Sequence, residues 1–138
     1  MNKTRWICSL LVILILVLCG GCIAEGIQPY ASSLITSYSI STDRYTGGKI
    51  MITTDIVAFH SIEKLGFSSV KIQEYDNDTW TTVKRATNKY AYNALSHGYS
   101  LSYDGTTGMK YRGVVSFYAK DGATTSGRTV TGSEVTAK

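Results

Sequence analysis

The 138-residue chain carries 14 Lys plus Arg against 10 Asp plus Glu, a formal charge of +4, and its three cysteines stand at positions 8, 19 and 22. That length fits one domain. With no thiol beyond Cys22, the body of the protein can hold neither a disulfide scaffold nor a cysteine-based zinc site.

Residues 1–24 read as a targeting segment. Lys3 and Arg5 precede an uncharged stretch, residues 6–23, centred on the aliphatic run 10–18. A basic start followed by an apolar middle is the pattern of a secretory signal, here expected as a hydrophobic helix. Three fates compete. Cleavage after Ala24 suits the small residues of Cys22-Ile23-Ala24. Lipidation of Cys22 suits Gly20 and Gly21, although Cys19 replaces the usual aliphatic residue three places upstream. Retention as an anchor suits the 18-residue apolar run, at the lower edge of what spans a bilayer. Each fate puts residues 25 onward outside the cytoplasmic membrane, because Lys3 and Arg5 stay inside. Loss of Lys3 and Arg5 with no acid lowers the charge from +4 to +2, so basicity is a weak clue to partners.

Residues 25–33 read as a flexible linker and 34–138 as the folded domain. From residue 34 the β-branched and aromatic residues alternate with period two, the pattern of half-buried strands. A first strand is expected over 34–41, with Ile35, Ser37 and Ser39 opposite Leu34, Tyr38 and Ile40. The turn Thr46-Gly47-Gly48 leads into a second over 49–59, where Ile50, Ile52, Ile56 and Ala58 share a face. Residues 60–66 form a connector whose Ile62 and Leu65 cap the core. A third strand, 67–75, puts Val70 and Ile72 on one face. Asp76-Asn77-Asp78-Thr79 is a hairpin turn of residues that tolerate left-handed backbone, and 80–85 is the return strand. Residues 86–97 read as a crossing between sheets. Strands over 98–103, 109–119 and 124–136 follow, with turns at 104–108 and 121–122. Seven strands punctuated about every ten residues predict an all-β, antiparallel, immunoglobulin-like sandwich.

The run Asp104-Gly105-Thr106-Thr107-Gly108-Met109-Lys110-Tyr111-Arg112-Gly113-Val114-Val115-Ser116-Phe117-Tyr118-Ala119 resembles the strand of immunoglobulin-like and fibronectin-like sandwiches that carries a tyrosine corner. There a Tyr at the strand start, here Tyr111, bonds back to the preceding turn. Gly113 stands where immunoglobulins place their second Cys. Leu65-Gly66, Val70-Lys71-Ile72-Gln73-Glu74, Trp80 after a polar turn and Gly108-Met109-Lys110-Tyr111-Arg112 together resemble a family of small secreted proteins of Gram-positive bacteria, a domain of unknown function. The likeness covers about residues 32–136. It implies export and a β-sandwich and carries no catalytic residues.

Candidate chemistry is sparse. His60 and His97 read as exposed loop histidines, and no Gly-x-Ser-x-Gly elbow follows residue 24. Among the acids, Asp76, Asp78 and Asp104 serve turns, Glu63 and Glu74 read as solvated, and Asp55 has no evident partner for glycoside hydrolysis. Asp76-Asn77-Asp78 opens like a calcium loop, but Thr81 and Thr87 occupy the sixth and twelfth positions in place of Gly and Glu. The Asn77-Asp78-Thr79 acceptor pattern is read as a turn. No catalytic residue, metal site or cofactor is expected, and the chain is read as not an enzyme. Trp80 reads first as core or sheet-packing, and with Tyr75, Tyr90, Tyr92, Tyr99 and Tyr103 it is also the candidate binding surface, because ten tyrosines exceed what a core of this size holds. Scattered Lys and Arg argue against nucleic acid as partner. The expected role is an exported, monomeric, non-catalytic module binding a protein or glycan at the bacterial surface or in the medium, its membrane contact confined to the N-terminal segment. The alternative is a small secreted bacteriocin-like antagonist.

Overall fold

The computed structural model describes the backbone of Gln28–Pro29 and residues 33–138. The stretch 1–24 read as a targeting segment, Cys22 with it, and most of the stretch read as linker lie outside the described residues. Within that stretch, β1 (Gln28–Pro29) pairs antiparallel with Tyr38 and Ser37, at a sheet edge where a proline without an N–H is tolerated.

Five long strands follow: β2 (Ile35–Arg44), β3 (Lys49–Asp76), β4 (Thr79–Asp104), β5 (Lys110–Asp121) and β6 (Thr124–Thr136). All pairings are antiparallel and belong to one sheet. β4 lines one edge of β3 along its length. The other edge is shared, with β2 on residues 35–44 facing 50–58 of β3 and β5 facing 64–75. The seven separate strands expected are therefore five long ones in a curled, half-barrel sheet. Residues 60–66 do not leave the sheet as a connector, nor do 86–97 cross between sheets; both are strand.

The reason is local. Between Val57/Ser96 and Ile62/Ala94, four residues of β3 face a single residue of β4. Such a bulge bends a strand without ending it, and here β2 stops and β5 begins. Buried positions in β3 are the even-numbered 50–58 before the bulge, then 62 and 65–67, then 70 and 72 after a second shift near residue 68. A strict period-two reading loses the strand at each change. Asn88 and Asn93 hold φ of 55° and 50° inside β4, left-handed conformations that asparagine accepts at little steric cost. In β2 a register shift between Ile35 and Ser37 buries both Leu34 and Ile35, where strict alternation puts them on opposite faces.

Folded over the bulge, the two halves of the sheet face each other across one core. Tyr38 of β2 meets Phe117 of β5 at 4.7 Å, and Phe67 packs edge-on to Phe117 at 5.6 Å. Two glycines permit the close approach. A Cβ on Gly113 would sit 2.9 Å from Ile52 Cδ1, and one on Gly132 would sit 2.8 Å from Ile40 Cγ2. At one end, residues 137–138 tie the turns together through Gly48 N–H to Lys138 O, Gly108 N–H to Ala137 O and Ala137 N–H to Met109 O.

Candidate functional site

Every second residue of β5 is buried, from Tyr111 to Ala119, so Lys110, Arg112, Val114, Ser116, Tyr118 and Lys120 point outward. Register carries this outer face across Lys64, Gly66, Ser69, Lys71, Gln73 and Tyr75 of β3. It continues onto Trp80, Thr82, Arg85, Thr87, Tyr90 and Tyr92 of β4.

Two aromatic clusters stand on this face. At the hairpin end, Tyr75 and Trp80 lie 5.0 Å apart, directly cross-strand. The Arg112 guanidinium sits 4.1 Å over the indole while its Nε donates to Gln73 Oε1 at 2.9 Å, and Lys110 Nζ stands 5.9 Å from the Tyr75 ring. The hairpin itself turns on Asn77 and Asp78, both at positive φ, and Tyr75 Oη donates to Asp78 Oδ1 at 3.1 Å. At the other cluster, Tyr90 and Tyr118 meet edge-on at 5.5 Å across Gly66. Lys64 Nζ lies 4.0 Å from the centroid of Tyr90, 5.4 Å from Tyr118 and 6.0 Å from Tyr92. Contacts of this kind contribute about 0.5–1 kcal/mol at exposed sites and fix the orientation of rings and cations. From Arg112 to Tyr118, six residues of strand separate the clusters by about 20 Å.

Of the aromatics singled out in the sequence, Trp80, Tyr75, Tyr90 and Tyr92 share this face, and Tyr92 is 65% exposed. Tyr99 and Tyr103 do not. They pair with Thr54 and Ile50 and pack against the core, because residues 97–103 of β4 present their odd positions inward. Sequence reading missed Tyr118, Lys64, Lys110 and Arg112. The alternation of β5 held the signal for three of them, since Lys110, Arg112 and Tyr118 share parity opposite Tyr111 and Phe117.

Tyr111 is fully buried at the start of β5. Its hydroxyl accepts the Thr106 N–H at 2.8 Å and donates to Glu74 Oε2. Burial and the Glu74 carboxylate both raise the Tyr111 pKa above its ordinary value. Glu74 is thus engaged, not simply solvated as expected. The histidines are not in loops either. His97 lies in β4 with its ring 5.6 Å from Phe67. His60 lies at the bulge of β3, with Nε2 3.1 Å from Asp121 Oδ2. Asp121 Oδ1 also accepts the Glu63 N–H, and Lys120 pairs with Glu63 at 3.0 Å. The hydrogen bond from His60 and then that backbone N–H lower the Asp121 pKa. This corner ties the bulge to the end of β5.

Among the described residues no three His, Cys, Asp or Glu side chains gather as a metal site. A groove of about 190 Å³ lined by Ser37, Tyr38, Ser39, Asp55 and Val57 lies on the other half of the sheet, smaller than the usual small-molecule pocket. No protein-family model, curated protein or solved structure matches this chain.

Proposed function

We propose that the protein is an exported, monomeric, non-catalytic module that binds a glycan through the outer face of β4, β3 and β5. One observation carries this reading: Trp80, Tyr75, Tyr90, Tyr92 and Tyr118 are held outside the core in two clusters joined by hydroxyl and amide side chains. Aromatic rings offer an apolar face to the C–H face of a sugar, and Gln73, Thr82, Thr87, Ser69 and Ser116 offer hydrogen bonds between the clusters. The rings are braced by Arg112 and Lys64, so little side-chain freedom is lost on binding. Export rests on the character of residues 1–24, and a lipid on Cys22 or a retained segment would hold the face at the cell surface. The likeness to secreted Gram-positive proteins accords with that placement. The finer immunoglobulin-like reading draws support from the Tyr111 bond to the preceding turn and from two facing half-sheets; the unbroken sheet is its main departure.

Trp80 is the only tryptophan beyond residue 24, so its fluorescence reports on the site. Titration of the full chain carrying Trp6→Phe, which leaves Trp80 as its one indole, with glycan oligomers and wall polysaccharides should shift that emission, and Tyr90→Ala should weaken binding about tenfold. Unchanged emission and no retention on any polysaccharide would overturn the proposal.

A further inference from the structure

We infer that the ligand of this face is a polyanionic polysaccharide, a chain bearing carboxylates or phosphodiesters, and that Lys71 and Arg85 are its charge-reading residues. The inference rests on the glycan reading above and adds the chemistry of the ligand.

Although the chain beyond the signal segment is nearly balanced in charge, its cations are not evenly spread. Lys64, Lys71, Arg85, Lys110, Arg112 and Lys120 all lie on the outer face of β4, β3 and β5. The acids beside them include Glu63, taken by Lys120, Asp121, held by His60, Asp78, which accepts from Tyr75, and Glu134, opposite Arg112 on β6. The outer face of the other half carries Asp43, Asp55 and Asp104 against a single cation, Lys49 opposite Asp104, among serines and threonines. A field of one sign over one face attracts ligands of the other.

The central row is the telling one. Lys71 is directly opposite Arg85 on one side and Val114 on the other. Like charges directly opposite on a sheet destabilise it. Val70 and Ile72 are buried, so Lys71 must point outward. Neither Lys71 nor Arg85 meets a carboxylate among the described residues. Elsewhere on the face a cation has a use within the fold: Lys64 sits among tyrosines, Arg112 on Trp80 and Gln73, and Lys120 on Glu63. Lys71 and Arg85 have none, and they stand midway between the two aromatic clusters. An anionic group of a sugar chain spanning both clusters would pass over them and relieve their repulsion. From Lys110 to Lys120 the cationic stripe runs about 33 Å along β5, the shape of a site for an extended chain, not for a single anion.

The test uses the full chain in mild detergent micelles and four probes: polygalacturonate, a phosphomannan, neutral chitohexaose, and phosphatidylglycerol carried in the same micelles. Tighter binding to either polyanion than to chitohexaose is expected, weakening about tenfold between roughly 50 and 200 mM salt. A Lys71→Gln/Arg85→Gln variant should lose at least about tenfold for the polyanion, keep its affinity for chitohexaose and unfold at a midpoint no lower than the parent's. The charge-matched control Lys49→Gln/Lys138→Gln, at the far end of the fold, should bind as the parent does. Equal loss in that control would overturn the inference, since net charge alone would then be at work. Equal or exclusive binding of chitohexaose would overturn it and leave the glycan reading standing. Tighter binding to phosphatidylglycerol than to either polyanion, lost in the Lys71→Gln/Arg85→Gln variant, would overturn it in favour of a lipid surface, and no binding to any polysaccharide would overturn both readings.

Discussion

The two halves of the β3–β4 ribbon are cut from the same pair of strands and differ in what they carry outward. Before the bulge, β3 presents Met51, Thr53 and Asp55 beside Ser37, Ser39 and Ser41 of β2 and Ser100 and Ser102 of β4. After it, β3 presents Lys64, Lys71, Gln73 and Tyr75 beside the aromatics and cations of β4 and β5. Inward, both halves bury the same kind of surface, aliphatic and aromatic, into one core. The core therefore sets the fold and leaves the outer face free to vary. The half with long cationic and aromatic side chains is the one whose composition the fold itself does not require.

The sharpest test is whether the halves truly share a core. Phe67 is fully buried after the bulge and touches Phe117, which touches Tyr38 of the facing half. In a Trp6→Phe background, Phe67→Ala should cost about 3–5 kcal/mol and lower the urea midpoint in a single transition seen alike by Trp80 emission and by circular dichroism. Two separated transitions would show that the halves unfold independently.

A smaller effect is expected where β5 is anchored to the turn before it. Tyr111→Phe removes the acceptor of the Thr106 N–H and the donor to Glu74, and should cost about 1–3 kcal/mol. The same tyrosine makes stability depend on alkaline pH. Its folded pKa is raised by burial and by Glu74, so the proton is held more tightly in the fold than in the unfolded chain. Its contribution is complete below the ordinary tyrosine value of about 10 and is lost as pH rises toward the folded value. The parent should lose stability above about pH 10, and Tyr111→Phe should show a shallower loss. Parallel pH curves would deny Tyr111 that part.

The smallest effect has the opposite sign. Arg85→Gln removes the like charge facing Lys71 and should raise stability by a few tenths of a kcal/mol, read as a higher thermal midpoint that converges with the parent at high salt. Ser102→Gln on the polar half should be neutral and indifferent to salt. A stabilised fold with a weakened ligand site is the pattern of a residue kept for function.

Much of this architecture is legible where alternation is unbroken. Ile50, Ile52, Ile56 and Ala58 share a buried face, Val70 and Ile72 share another, and the Asn77–Asp78 hairpin turns where its residues demand. Legibility fails at the bulge of residues 58–61 and between Asn88 and Asn93. There an extra residue or a left-handed one shifts the parity of the side chains, and a strand reads as loop. The candidate site suffers for the same reason. Tyr90 and Tyr92 lie between the two asparagines, so their face could not be counted from either end, whereas Tyr99 beyond them turned inward.

By itself the sequence determined that the chain from residue 34 is all-β and antiparallel in its hairpins, that its core is aliphatic and aromatic, and that no thiol chemistry operates there. Those follow from residue type and short-range periodicity, which act within one strand. Only the tertiary structure decided that seven segments are five strands of one curled sheet, that Gly113 and Gly132 let its halves close, and that six dispersed cations share a face. Those depend on register between strands distant in the chain, where a single bulge reassigns every side chain beyond it.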